Sequence, residues 1–184
     1  MEDRDRLNNI LKEENTDKTI KENLEYILGI IPEIKDMIGF EHKHPHHNLD
    51  VWEHTLKVVQ GLGEADLETK MAALLHDIGK PFSYQDEEVR HFHGHPEVSK
   101  EMAEKILNRL GYDNKFIQDV CYLVETHDSI VDPNNLDNIA EMIDKRLKLQ
   151  YADAKAHSPD KIAKRITFLD NIKKEIDNLR TQER

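Results

Sequence analysis

Apolar residues return along most of this chain at intervals of three and four, the spacing of one helix face, and no stretch sustains the two-residue alternation of a strand. Residues 1 to 17 are mostly charged, with Leu7, Ile10 and Leu11 as their apolar patch, which predicts a short helix open to fraying. Ile20, Leu24, Ile27, Leu28 and Ile31 then draw a narrow stripe on one helix that Pro32 ends, and Ile34, Met37 and Ile38 add a turn or two. Asp50 is placed to cap a helix running to Leu62, with Glu53 completing a capping-box-like pair and Val51, His54, Val58 and Leu62 on one face. Asp66 opens the next helix, whose stripe is Leu67, Met71, Leu74 and Ile78 and whose stop is Gly79 and Pro81.

Three further stripes follow: Val98, Met102, Ile106 and Leu110 after Pro96; Phe116, Val120, Leu123, Val124 and His127; then Leu136, Ala140, Ile143 and Leu147, after the turn-type cluster Asp132 to Asn135, leading to Asp153. Ile162, Ile166, Leu169, Ile172, Ile176 and Leu179 draw a long amphipathic helix over 159–182, which either packs on the domain or pairs with a second copy to give a homodimer. The expected class is all-α: a single domain over 1–184, a helical bundle with a long C-terminal amphipathic helix and no internal repeat.

Between the stripes lie two segments without a period, 39–49 and 81–95. The first holds His42, His44, His46 and His47; such a loop is ordinarily solvated, although His44 and His47 are placed to line the mouth of a site. Both segments are expected to wall any pocket. The chain has 184 residues, enough for one domain with a sizeable core. Its net charge of −11 opposes a long footprint on nucleic acid and leaves room only for a local basic pocket. Cys121 is the only cysteine, which excludes an intrachain disulfide and suits a reducing compartment. No apolar run reaches the length of a membrane span and the first residues are charged, so a cytoplasmic protein without a membrane partner is expected.

The chemistry centres on Leu74 to Lys80. An apolar helix there ends in the adjacent pair His76-Asp77, and unpaired burial of two ionisable groups is costly unless something holds their charge or lone pairs. A divalent ion is the simplest such partner. His54 stands before this pair, and His95, His127 and Asp153 follow it, each on an apolar stripe or at a helix end. Imidazoles with carboxylates suit Mn, Fe, Co, Ni or Zn better than an all-oxygen cage would, with Mg still admissible. Each residue also has a plainer role. A histidine on an apolar stripe is more often a hydrogen-bonded core residue, Lys80 suits a helix C-terminus, and Asp128 reads as a solvated helix end unless it orients an imidazole.

The order of these residues, with Asp50-Val51-Trp52-Glu53-His54-Thr55 and Ala73-Leu74-Leu75-His76-Asp77-Ile78-Gly79-Lys80-Pro81, resembles the HD-domain metal-dependent phosphohydrolases. It is most similar to the HD domain appended to some bacterial CCA-adding tRNA nucleotidyltransferases, and the likeness covers about residues 22 to 155. The resemblance implies two ions, one held by His54, His76, Asp77 and Asp153 and the other by His95 and His127, with Asp77 bridging. It also implies catalytic roles for Asp77 and Lys80, the latter as a phosphate contact. A hydroxide held between two cations is available near neutral pH, because metal binding lowers the pKa of water from about 15.7 toward 7.

The sequence departs from several relatives. The Gly-Tyr-Pro signature of the cyclic-di-GMP phosphodiesterases is absent, Gly79-Lys80 stands where alarmone hydrolases carry Glu-Asp, and no nucleotidyltransferase head precedes the HD region, so a stand-alone hydrolytic module is expected. The expected function is a phosphatase or phosphodiesterase acting on a small phosphate ester, a nucleotide or an RNA end, including a 2′,3′-cyclic phosphate. Two alternatives are a non-catalytic nucleotide- or phosphate-binding signalling module and a di-iron oxygenase of the HD type.

Overall fold

A computed structural model describes residues 2–44, 48–85, 89–133 and 140–182. The helices are α1 (Asp3–Lys12), α2 (Thr16–Glu22), α3 (Leu24–Ile30), α4 (Val51–Gly61), α5 (Leu67–Leu75), α6 (His95–Arg109), α7 (Asn114–Thr126), α8 (Ala140–Lys155) and α9 (Pro159–Gln182), with short 3₁₀ turns at Pro32–Met37 and Lys80–Phe82. Among the described residues there is no strand, only isolated bridges pairing Glu41 with Asp50 and Gln85 with His91. The all-α expectation stands. No helix in this range is long and apolar enough to cross a membrane.

At the N-terminus the chain is more ordered than its charge suggested. Leu7, Ile10 and Leu11 are buried in the main core, so α1 is anchored on its apolar side. The single helix expected through Ile31 is instead two, α2 and α3, parted at Asn23. The cause is local: Asn23 Nδ2 donates to Thr19 O at 2.9 Å and its Oδ1 accepts from Arg6 at 3.2 Å, so an amide side chain competes with the helical ladder.

Three helices begin on aspartate caps. Asp50, Asp66 and Asp113 each accept a hydrogen bond from the backbone N–H three residues on, at 2.7, 2.9 and 2.9 Å. The second oxygen of Asp50 takes the Gly39 N–H at 2.8 Å, which ties the 39–50 loop to the start of α4. Helix α5 is the hub. Every residue from Thr69 to Leu75 is buried, because α1, α4, α6, α7 and α8 all pack against it. Whatever stands at its C-terminal end is therefore inside the protein.

Helix α8 faces two ways. Leu149, Ala152 and Ala156 join the main core, while Ile143, Leu147 and Ala154 meet Leu169, Ile172 and Ile176 of α9 in a second apolar cluster. The stripe of α9 is thus spent on its own chain, each buried side chain contributing about 1.5 to 3 kcal/mol. Arg146 and Gln150 of α8 also donate to Ser129 O at 2.8 and 2.7 Å, and Arg146 Nε donates to Thr126 O at 3.1 Å. These bonds satisfy carbonyls left open at the end of α7 and fix where His127 sits. Leu136, expected to open this helix, and the turn residues Asn134 and Asn135 lie outside the described residues.

Candidate metal centre

Three of the imidazoles are oriented by one local device. His76 Nδ1 donates to Ala73 O at 2.7 Å, His95 Nδ1 to Phe92 O at 2.9 Å and His127 Nδ1 to Val124 O at 2.6 Å, in each case a carbonyl three residues back. His76 and His127 occupy the C-cap positions of α5 and α7, where backbone carbonyls lack helical partners. With the proton held at Nδ1, the lone pair falls on Nε2, and all three Nε2 atoms converge on Asp77. His54, fully buried in the middle of α4, reaches the same place through Nε2, 2.9 Å from Asp153 Oδ1.

The carboxylate of Asp77 divides this cluster into two nests. Its Oδ2 lies 3.2 Å from His76 Nε2 and 3.8 Å from His54 Nε2, and Asp153 Oδ1 stands 3.8 Å from His76. Its Oδ1 lies 3.3 Å from His95 Nε2 and 3.6 Å from His127 Nε2, which are themselves 3.2 Å apart. Donors bound at about 2.1 Å to one ion stand about 3.0 Å apart at right angles and about 3.4 Å apart in a tetrahedron, so both nests have the span of a coordination shell.

The unmet valences point the same way. His76 Nε2 and both Asp77 oxygens are buried and make no well-directed hydrogen bond, even though Lys80 Nζ lies 2.8 Å from Oδ2. Burial pushes the His127 imidazole toward its neutral form, and its Nε2 stands 3.2 Å from that of His95. Two groups of buried donors, His54 with His76 and Asp153, and His76 with Asp77 and His127, are spaced to hold a divalent metal ion.

Electrostatics holds the two carboxylates in their ionised, binding forms. Burial alone would raise the Asp77 carboxyl, but His76 and Lys80 outweigh it and keep the group well below the usual carboxylate range. Burial works against ionised Asp153 too, and His54, His157 and Arg165 overcome it. Arg165 on α9 forms an ion pair with Asp153 Oδ2 at 3.2 Å, leaving Oδ1 turned toward His54 and His76. Burial disfavours charge on His76, but Asp77 and Asp153 raise its pKa, so the space between these carboxylates draws in positive charge.

All six expected ligands, His54, His76, Asp77, His95, His127 and Asp153, meet in this cluster. Asp77, His95, His127 and Asp153 line a cleft of about 220 Å3, and His54 and His76 lie fully buried behind them. Lys80 does not lie outward along a helix end. It is 7% exposed and reaches both Asp77 and, at 3.2 Å, His42 Nε2. His42 corrects the expectation of a solvated loop: it is 1% exposed, donates from Nδ1 to Leu49 O at 2.9 Å, and is held neutral by burial and by Lys80, its pKa lowered to about 3. His44 lines the cleft; His46 and His47 lie outside the described residues. Asp128 is exposed at the rim, as a solvated helix end would be.

Sequence reasoning missed His157, Lys161 and Arg165, all of which line the cleft. His157 had a readable signal: it stands one helical turn after Asp153, and its Nδ1 donates to Asp153 O at 2.7 Å. Lys161 and Arg165 carried none, because α9 looked like an amphipathic tail whose charges face water.

The described residues form an all-helical bundle whose central helix ends in a buried His-Asp pair, met by imidazoles and a carboxylate from four other helices or helix ends, a cluster that could hold a metal ion. The chain belongs to the HD domain family, matching it over residues 46–181. Members of this family are generally metal-dependent phosphohydrolases. It is also similar to the CC-adding tRNA nucleotidyltransferase of Thermus thermophilus, at 39% identity over 109 residues covering 55% of this chain and 25% of that protein. The A-adding tRNA nucleotidyltransferase of Deinococcus radiodurans is 36% identical over 104 residues, covering 53% and 24%. The match thus spans about a quarter of the length of these relatives.

Proposed function

We propose that this protein is a metal-dependent phosphohydrolase that cleaves a phosphomonoester or phosphodiester of a nucleotide or of an RNA end. The observation that carries the reading is the division of Asp77 between two nests of buried donors on the floor of an open, cation-lined cleft. Divalent ions held by His54, His76, Asp77 and Asp153 and by His95 and His127 would acidify a water and offset charge on a phosphoryl group. The chain's own residues supply the rest. Lys80 is held at the cleft floor by His42 and Asp77, and in that low-dielectric setting its ammonium is worth far more to a phosphoryl oxygen than it would be in water. Neutral His42 accepts from Lys80 and so aims it without competing for its charge. The relatives supply a second support: both are named for acting on tRNA, which favours a nucleotide or RNA end.

The test is turnover by protein loaded in turn with Mn, Co, Ni and Mg, its metal content measured, on p-nitrophenyl phosphate, bis(p-nitrophenyl) phosphate and 2′,3′-cyclic nucleotides. Nitrophenol release, or opening of the cyclic phosphate to a nucleoside monophosphate, that disappears on chelation and returns with added ion is expected. Loaded protein that turns over none of them, yet is stabilised by nucleotides against heat, would be a binding module instead.

A further inference from the structure

The cleft is basic in an acidic protein. Lys80, Arg90, Lys161 and Arg165 stand on its wall, against only Asp77, Asp128 and Asp153. Three of these cations have duties within the protein. Lys80 reaches Asp77 and His42; Arg165 reaches Asp153 at 3.2 Å and His157 Nε2 at 3.3 Å; Arg90 donates to Glu41 O at 2.7 Å and stacks between the rings of Phe40 and Tyr84, 4.6 and 4.7 Å from their centres.

Lys161 is different. Among the described residues its side chain makes no hydrogen bond and no ion pair. A lysine with nothing to bind ordinarily extends its amine into water. This one is half-buried, and burial and Arg165 push the pKa of its amine down, more than Asp153 and Asp128 raise it. It stands in the first turn of α9, beside Asp160. Asp153 and Asp128 across the cleft offset part of the cost, but neither forms an ion pair with the amine. An anion in the cleft would supply the missing contact.

We infer that Lys161 forms a second anion subsite in the cleft, and that the substrate carries a phosphate besides the one that is cleaved. The word substrate rests on the hydrolase reading above; the subsite itself does not. Lys80 faces the bridging carboxylate and so serves the phosphate at the ion nests, while Lys161 enters the cleft from α9 and receives the other.

Calorimetric titration of the full, metal-loaded chain with orthophosphate and with pyrophosphate tests this, using wild type, Lys161→Ala, Lys161→Arg and, as a control for general field, Lys164→Ala, whose side chain is exposed on the same helix. Wild type should bind pyrophosphate at least about tenfold more tightly than orthophosphate, a difference of about 1.4 kcal/mol. Lys161→Ala should reduce that ratio to within about twofold, while Lys161→Arg and Lys164→Ala should keep it. An equal loss for both anions in Lys161→Ala, or the same loss of ratio in Lys164→Ala, overturns the subsite. Turnover of single-phosphate esters without any preference for pyrophosphate overturns the subsite and leaves the hydrolase standing; a Lys161-dependent preference in protein that turns over nothing does the reverse. Adenosine diphosphate and a ribodinucleotide bearing a 3′-phosphate, titrated in the same way, separate adjoining phosphates from phosphates one nucleotide apart.

Discussion

Replacing Gly79 by alanine should loosen the metal centre from behind. Gly79 has φ −83°, which alanine adopts without strain, so any effect must come from contact. A Cβ built there would lie 2.6 Å from Ser99 N, 2.9 Å from Ser99 Oγ and 3.0 Å from His95 O. These are atoms of the first turn of α6, mostly backbone, and cannot rotate aside. Comfortable contact needs about 3.5 Å, so α6 must retreat by nearly an ångström. The retreat would stretch the 2.9 Å bond from Gly79 N to Ser99 Oγ and carry His95 away from Asp77 Oδ1. Overpacking of this kind costs about 1 to 3 kcal/mol and a buried N–H left unpaired a similar amount, together roughly 2 to 6 kcal/mol. For a chain of this size that is a fall in Tm on the order of 5–20 °C. Thermal unfolding by circular dichroism, with metal titration of the folded protein, reads both effects: a lower Tm, and weaker binding of the ion assigned to His95 and His127. Gly29→Ala is the contrast, because its Cβ would meet nothing within 4 Å and it sits in α3, so a gain of about 0.4–1 kcal/mol is expected. An unchanged Tm and unchanged metal binding in Gly79→Ala would refute the close-approach argument.

Arg165→Gln should lower metal affinity measurably and stability by about 1–3 kcal/mol, because the buried Asp153 carboxylate loses its cationic partner; the drop should appear in metal titration, and no change in affinity would show that α9 does not position Asp153. The metal-free protein should lose stability as pH falls. His42 and His157 have folded pKa values lowered to about 3 and about 4, chiefly by burial, so below about 6.5 the unfolded chain takes up protons that the folded chain refuses. Their contribution is fully present above pH 6.5 and should fall by roughly 2 kcal/mol per imidazole between pH 7 and pH 5. Urea unfolding at the two pH values measures this, and His42→Gln should flatten the slope.

The elements whose cause is local could be read from the chain. Asp50 and Asp66 were legible as caps because a carboxylate ahead of a periodic run has one common use. The histidines stood out because polar groups on apolar stripes are rare, and the structure brings all six expected ligands together. What was hidden depends on distant partners. The break at Asn23 needs Arg6 as well as Thr19; Gly79 looked like a helix stop, but its small size serves the approach of α6. His42 looked like one of several loop imidazoles, yet it is drawn under Lys80. The first turns of α9 kept their secret for the same reason: the sequence shows an amphipathic stripe, not which charged residues beside it turn back toward a cleft.

The central claim is that one carboxylate is shared by two ions. Anomalous diffraction from crystals of the manganese-loaded protein tests it most directly. Two peaks are predicted, one bonded to an oxygen of Asp77 at about 2.0–2.2 Å with His54, His76 and Asp153 around it, the other on the second oxygen with His95 and His127. A single peak, or peaks that leave Asp77 untouched at saturating metal, would contradict the account.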